Sequence, residues 1–276
     1  MKPNAAQPAA RPAAPTLAAQ VIVFAKAPVA GQAKTRLIPA LGAAGAAALA
    51  ERLLDHAVAQ ALAAGLGRVG LCVTPDARHP AFQRLQARHA LRITLQGAGD
   101  LGQRMDRALS EALTGAITDA RTEAPTRVLS DARTDVLTDT PANTPIHPPT
   151  PPPQAPARVL LIGSDAPALS AAVLRAAAAA LDDADAVLVP ALDGGYVLVG
   201  LRRPAPALFA GVAWSTGQVM AQTRQRAAMA GLRLAVLPAL ADIDEPADLL
   251  HLHHLPPLPA PPPPPPPPPL PARHPA

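Results

Sequence analysis

Several residue types are scarce in this sequence of 276 residues. It has 1 cysteine, which excludes an intramolecular disulfide framework and a zinc site built on several cysteines. Cys72 lies in an apolar run, where we expect a buried and unreactive thiol. The aromatic residues are 1 tryptophan, 1 tyrosine and 3 phenylalanines. These are too few to form stacking platforms along single-stranded nucleic acid, so we expect no nucleic-acid partner.

Blocks of like charge and long uninterrupted apolar runs are also missing. The 24 lysines and arginines are scattered among 20 acidic residues, so the sequence pI of about 10.0 does not by itself indicate a polyanionic partner. The most apolar stretch, 43–66, contains charged residues such as Glu51 and Asp55, which favours an amphipathic globular helix over a membrane span. Residues 1–20 show no apolar stretch before a cleavage site. We therefore expect a cytoplasmic protein.

Proline is abundant instead, with 37 residues, and it divides the chain. Residues 1–20 are predicted to be a disordered segment, and residues 21–255 a single domain. A low-complexity insertion at 114–157 interrupts this domain; a linker between two domains is the alternative. Residues 256–276 form a polyproline tail, predicted to be an extended rod. This tail is either an incidental unfolded segment or a ligand for an aromatic groove on a polyproline-binding partner.

The rest of the chain alternates between short apolar strands and longer helical segments. This alternation predicts an α/β fold with a mainly parallel sheet and helices on both faces. Ligands of such sheets bind beyond the carboxyl ends of the strands. We therefore expect the chemistry in the loops after Ala25, Leu95, Ile162 and Val189. The predicted strands are Val21–Ala25, Val69–Thr74, Leu91–Leu95, Val159–Ile162, Ala186–Val189, Tyr196–Leu201 and Leu232–Leu237. The predicted helices are Ala43–Ala64, His79–His89, Leu101–Leu113, Ala171–Leu181, Thr216–Ala230 and Pro246–His251.

The loop after the first strand is basic. Lys26, Lys34 and Arg36 follow a buried strand together with a glycine, a combination suited to binding a diphosphate. A P-loop is excluded because Ala33 stands where that motif requires the glycine before its lysine. The alternative is a solvated basic loop without a ligand.

Acidic residues occur at two further places. Asp165 directly follows a buried strand, and a carboxylate there is suited to hold Mg²⁺ or Mn²⁺ that bridges phosphates. Aspartate is also a common turn former or helix cap, which is the alternative. Asp242 and Asp244 precede Pro246, where they either complement a helix macrodipole or supply a second metal ligand.

Two segments with glycine complete the candidates. Asp193-Gly194-Gly195 between apolar runs indicates a hairpin. Alternatively, the glycines let a ligand lie against the backbone, with Asp193 binding a hydroxyl or acting as a base. Residues 97–105 follow the third strand, where glycines permit a close approach and Arg104 could reach a base or a phosphate.

Taken together, these motifs resemble one known family. In their order along the chain, they resemble the bacterial family of small GT-A-fold transferases known as DUF2064 or as arsenosugar-biosynthesis glycosyltransferases, and at fold level certain guanylyltransferases of cofactor metabolism. The resemblance covers about Val21–Leu252. It is carried by residues 24–28, 31–37, 99–105, 163–167, 193–196, 214–216 and 242–246.

The resemblance implies a nucleotide-diphospho-sugar transferase fold, with a Rossmann-like, mainly parallel sheet and an antiparallel hairpin. It also implies a metal-dependent glycosyltransferase that uses a nucleotide-sugar donor and a small-molecule acceptor, with Asp165 in the metal position. The expected catalytic residues are Asp165 and Asp193. The expected nucleotide and diphosphate ligands are Lys26, Lys34, Arg36, Gly99, Asp100 and Arg104. The expected sugar or acceptor pocket is Gly194, Gly195, Tyr196, Trp214 and Thr216, and the expected metal ligands are Asp165 with Asp242 or Asp244.

Two alternatives stay open at this point. A nucleotidyltransferase would use the same basic loop to hold a nucleoside triphosphate and would release pyrophosphate. A non-catalytic nucleotide-binding or scaffold protein would act through the polyproline tail.

Overall fold

The computed structural model describes residues 18–115 and 158–255. The polyproline tail, nearly all of the predicted insertion and most of the N-terminal segment lie outside the described residues, and so do the predictions made for them.

A seven-stranded sheet is the centre of the described structure, with strand order β3-β2-β1-β4-β6-β5-β7. Strand β6 runs antiparallel to both of its neighbours, and the other pairs are parallel. This arrangement confirms the predicted α/β fold with one antiparallel hairpin. The strands are β1 Gln20–Lys26, β2 Val69–Thr74, β3 Arg92–Leu95, β4 Val159–Gly163, β5 Ala186–Pro190, β6 Tyr196–Leu201 and β7 Leu234–Val236. The helices are α1 Ile38–Ala63, α2 Pro80–His89, α3 Leu101–Thr114, α4 Ala171–Ala180 and α5 Val219–Met229.

Helices cover both faces of the sheet, which explains why its strands are apolar without alternation. Successive residues of β1 point to opposite faces: Val21 packs in one buried cluster and Ile22 in the other. The first cluster includes Leu54 of α1, and the second includes Leu109 of α3. Because β4 pairs with β1, the elements before and after residues 116–157 build one sheet.

Several element boundaries differ from the predicted ones. Helix α1 is kinked at Gly42, whose φ of 71° and ψ of 164° are not helical, so a short helical turn at 38–41 precedes the predicted helix. Helix α5 begins only at Val219, since the preceding segment forms a turn with Ser215 at φ 62°. The last helical segment, Pro246–His254, is a 3-10 helix.

Helix α1 and the turn before it are long and apolar. By length and composition alone, the stretch Thr35–Ala63 could cross a membrane, a property that core helices of globular proteins share. Here one side of the helix packs on the sheet, where Leu54 and Val58 are buried, and Leu49 and Leu53 lie in a further apolar cluster with Ile243. One side of this helix therefore packs within the described structure.

Candidate functional site

A cleft of about 680 Å³ lies where β1, β2, β3 and β4 end. Its position is the one expected for ligands of an α/β sheet, and its volume is within the range of small-molecule sites, roughly 300–1,000 Å³. The predicted site residues that line it are Lys26, Lys34, Arg36, Asp165, Asp193, Thr216 and Asp244.

Lys34 lies at the centre of the polar contacts in this cleft. Its backbone is left-handed, with φ 48° and ψ 45°, and its side chain is only 6% exposed. The Nζ atom lies 2.8 Å from Asp165 Oδ1 and 2.8 Å from Asp244 Oδ1, and it also donates to the carbonyl of Ile243. A backbone hydrogen bond of 2.9 Å from Ile243 N to Asp165 O joins the two acidic loops independently of the lysine. Three distant segments therefore meet at one ammonium group.

The charges in this cluster do not balance. Burial alone would lower the pKa of Lys34, but the carboxylates of Asp165 and Asp244 outweigh it, so the pKa is raised and the amine stays charged. Burial raises the pKa of Asp242 to about 6, with further contributions from Asp193, Asp244 and Asp165. The negative charge of these three neighbours therefore adds to the effect of burial on Asp242.

Asp165 and Asp244 fit an ion of the Mg²⁺ type. Such an ion takes one or two carboxylates and completes its coordination with water and phosphate oxygens. Both Oδ1 atoms lie 2.8 Å from one nitrogen, and both side chains are 44% exposed toward solvent. Asp242 interacts with them electrostatically but is not part of the cleft wall. A closed protein cage does not fit, because within 18–115 and 158–255 no three histidine, cysteine, aspartate or glutamate side chains are grouped to hold a metal.

The other two cations of the first loop are more exposed than Lys34. Lys26, the last residue of β1, donates from Nζ to Gln32 O at 2.8 Å. Arg36 is 64% exposed, and its Nη1 lies 3.9 Å from Glu245 Oε1. The exposed ion pair of Arg36 is weak. Because the hydrogen bond of Lys26 is exposed as well, both cations are available to a ligand in the cleft.

The hairpin between β5 and β6 forms the opposite wall. Asp193 Oδ1 accepts a hydrogen bond of 2.8 Å from Gly195 N, so the residue both shapes the turn and lines the cleft. Gly194 has φ 93°, and a Cβ there would lie 2.4 Å from Gly217 O. Glycine is required at this position because the hairpin packs backbone to backbone against the turn that carries Thr216.

Other predicted site residues lie away from the cleft wall. Asp100 caps α3: its Oδ1 accepts from Gln103 N at 2.8 Å, and Gln103 Oε1 accepts from Asp100 N at 3.0 Å. Arg104 Nε donates to Gly99 O at 2.7 Å. The geometry therefore gives these residues a part in starting α3.

Tyr196 and Trp214 pack against each other beside the cleft, edge to face, with ring centroids 6.3 Å apart. Both belong to the apolar cluster beneath α3 and α5. Neither Tyr196 Oη nor Trp214 Nε1 has a hydrogen-bond partner among the described residues. Gly194 and Gly195 contribute turn geometry rather than cleft surface.

Gln96 is a cleft residue that the sequence analysis missed. It is 4% exposed, and its Nε2 donates to Ala25 O at 3.1 Å and to Cys72 O at 3.2 Å. Two carbonyl acceptors require the amide nitrogen on their side, so Oε1 is left as an acceptor and takes no hydrogen bond from the described residues. The available signal was a lone polar residue directly after a strand, at the edge where ligands bind.

The comparisons with known proteins agree with this fold. A protein-family model described as "Uncharacterized protein conserved in bacteria (DUF2064)" matches residues 57–216. A candidate nucleotide-diphospho-sugar transferase from Desulfovibrio desulfuricans G20 has a similar solved structure, with 26% sequence identity, a TM-score of 0.65 and 85% of each chain covered. No curated protein sequence matches the chain.

Two further solved structures are more distant. CMP:2-keto-3-deoxy-manno-octonic acid synthetase, complexed with CTP, is 12% identical with a TM-score of 0.47, over 86% of this chain and 98% of that one. The 4-diphosphocytidyl-2C-methyl-D-erythritol synthase of Anaerococcus prevotii DSM 20548 is 9% identical with a TM-score of 0.48, over 85% of this chain and 95% of that one. Similarity at this level carries no argument about what this chain does.

Proposed function

The chain belongs to the DUF2064 family, and from that premise we propose that it is a metal-dependent glycosyltransferase with a nucleotide-sugar donor and a small-molecule acceptor. The similar structure from Desulfovibrio desulfuricans G20, named as a candidate nucleotide-diphospho-sugar transferase, supports the donor class. The cleft at the carboxyl ends of the strands supplies the space for such a ligand.

One observation carries the proposal: Lys34 meets Asp165 and Asp244 at 2.8 Å within the cleft. Lys34 and Asp244 are 210 residues apart in the chain, so only the fold brings them together. A cation and two carboxylates at the end of a basic loop are the groups that a diphosphate with its divalent ion requires.

In this proposal, Lys26 and Arg36 neutralise diphosphate oxygens from the exposed part of the first loop. Asp165, with Asp244 or Asp242, would hold Mg²⁺ or Mn²⁺. A bound divalent ion would stabilise the negative charge of the leaving diphosphate. Asp193 faces the same cleft and is the candidate base if the reaction inverts the anomeric centre.

Product analysis tests the proposal. The full chain is incubated with Mn²⁺, a panel of nucleotide sugars and a pool of small-molecule acceptors, and nucleotide products are separated by ion-exchange chromatography. We expect release of a nucleoside diphosphate, lost in D165N and retained in D183N, whose aspartate is exposed and lies outside the cleft wall. Release of no nucleotide from any donor would contradict the proposal.

A nucleotidyltransferase is the second candidate, because the cations of the first loop that line the cleft would suit a triphosphate equally well. The same chromatography decides between the two. Incubation with nucleoside triphosphates and sugar phosphates would then give pyrophosphate, and nucleotide sugars would give no nucleoside diphosphate. Truncation after Leu255 addresses the scaffold alternative, since an enzyme should keep its turnover without residues 256–276.

A further inference from the structure

The hydrogen bonds of Lys34 leave it no free donor. An ammonium group has three N–H bonds, and here its acceptors are Asp165 Oδ1, Asp244 Oδ1 and the carbonyl of Ile243. The side chain is 6% exposed. In this arrangement, Lys34 cannot also bind a phosphate oxygen.

The ammonium occupies the place that a divalent ion would need. Mg²⁺ lies about 2.0–2.1 Å from its oxygen ligands, whereas Lys34 Nζ lies 2.8 Å from Asp165 Oδ1 and Asp244 Oδ1. A divalent ion bound to both Oδ1 atoms would lie close to Nζ, and the two cations would repel each other in this partly buried site. A metal ion and Lys34 therefore compete for the same pair of carboxylates.

We propose that Lys34 is an internal cation that holds the metal position in the ligand-free protein, and that a divalent ion displaces its ammonium into the cleft, where it becomes available to the diphosphate. This inference rests on the proposed function. Lys34 is then a positioning residue: metal binding moves its ammonium, and this movement prepares the phosphate site.

Three features of the site permit this exchange. The backbone bond from Ile243 N to Asp165 O keeps the two acidic loops together when the ammonium leaves. The carboxylates of Asp193 and Asp242 add negative charge that a divalent ion compensates better than a single ammonium does. The lysine stem has four flexible methylene groups, so Nζ can move while the left-handed backbone of Lys34 stays in place.

Calorimetric titration of Mn²⁺ into the nucleotide-free full chain tests the inference. We expect K34M to bind Mn²⁺ at least about tenfold more tightly than the wild type, because the competing charge is gone. R175M is the control: it removes an exposed cation that bonds to Ala63 O and does not line the cleft, so its affinity should stay within about twofold. Equal or weaker Mn²⁺ binding by K34M would overturn the inference and leave the metal site intact. Absence of Mn²⁺ binding in both proteins, with and without nucleotide, would overturn the proposed function itself.

A measurement on the wild type guards against misfolding of the variant. The chain contains only Lys2, Lys26 and Lys34, so ¹⁵N-lysine labelling gives three ammonium signals. We expect the Lys34 signal to be protected from solvent exchange without metal and to shift or disappear when Mg²⁺ saturates the protein. A signal unchanged at saturation would contradict displacement.

Discussion

Gln96 is one side chain that joins the ends of three strands, since it follows β3 and bonds to carbonyls in β1 and β2. Replacement by leucine would leave the carbonyls of Ala25 and Cys72 without these partners. We expect Q96L to lower the free energy of unfolding by about 2–3 kcal/mol. The measurement is urea denaturation, with Q83L as the control, because Gln83 makes one exposed bond to Ala77 O. Equal effects of the two changes would contradict the role given to Gln96.

Gly102 has a steric role, because it leaves room for a neighbouring ring. A Cβ at this position would lie 2.5 Å from the ring of Trp214. Overpacking costs about 1–3 kcal/mol, and alanine regains up to about 1 kcal/mol of helix propensity, so G102A should be destabilised by about 1–2 kcal/mol. Trp214 is the only tryptophan, so its fluorescence reports the displacement directly. G163A, where the nearest atoms lie at 4.0 Å, should leave the emission unchanged.

At the scale of elements, variants at the start of α3 distinguish a capping role of Asp100 from a ligand-binding role. Asp100 caps this helix by a reciprocal pair of bonds with Gln103. We expect D100A to lose about 1 kcal/mol of unfolding free energy and D100N to retain it, since asparagine caps as well as aspartate does. Both variants should keep the nucleotide affinity of the wild type in a calorimetric titration. A loss of affinity in D100N with unchanged stability would give Asp100 a ligand role instead.

The contact between α1 and the loop after β4 makes the unfolding free energy depend on pH through His56. Burial lowers the pKa of His56, and His254 lowers it further, against the hydrogen bond of His56 Nε2 to Pro167 O at 2.9 Å. The folded pKa lies below that of the unfolded chain, so the unfolded chain takes up the proton first as the pH falls. Stability from this group is therefore complete above about pH 6.5 and is lost as the pH falls through the folded pKa.

Removal of the titrating group tests this dependence. H56Q keeps a donor for Pro167 O and should show a smaller loss of unfolding free energy between about pH 7 and pH 5 than the wild type. H89Q, on α2, should behave as the wild type does. An acid-induced loss of the same size in H56Q would assign the pH dependence to other groups.

The elements themselves were predictable where their pattern depends on burial alone. Strands such as Val69–Thr74 and the cap Ser170, which accepts from Val173 N, follow from local composition. The boundaries were not predictable where a local bend decides them, as at Ser215 before α5. Backbone conformations of this kind depend on neighbours that are distant in the sequence.

At the scale of the whole molecule, the sequence placed the acidic and basic loops at one edge of the sheet but could not determine their contacts. Lys34 bonds to Asp244 only because the fold brings together two segments that are 210 residues apart in the chain. Gln96 escaped the sequence analysis for the same reason, since its partners lie on two other strands.

The central claim is that these loops form one site for a nucleotide and a divalent ion. Thermal unfolding of the full chain with a panel of nucleotides and nucleotide sugars, with and without Mn²⁺, tests it most directly. A ligand that binds the native state raises the melting temperature, because it adds about 2.7 kcal/mol to the unfolding free energy when its concentration is a hundredfold above Kd. We predict a shift for at least one nucleotide that requires Mn²⁺ and is lost in D165N. A panel that produces no shift with or without Mn²⁺, or a shift that D165N retains in full, would contradict the account.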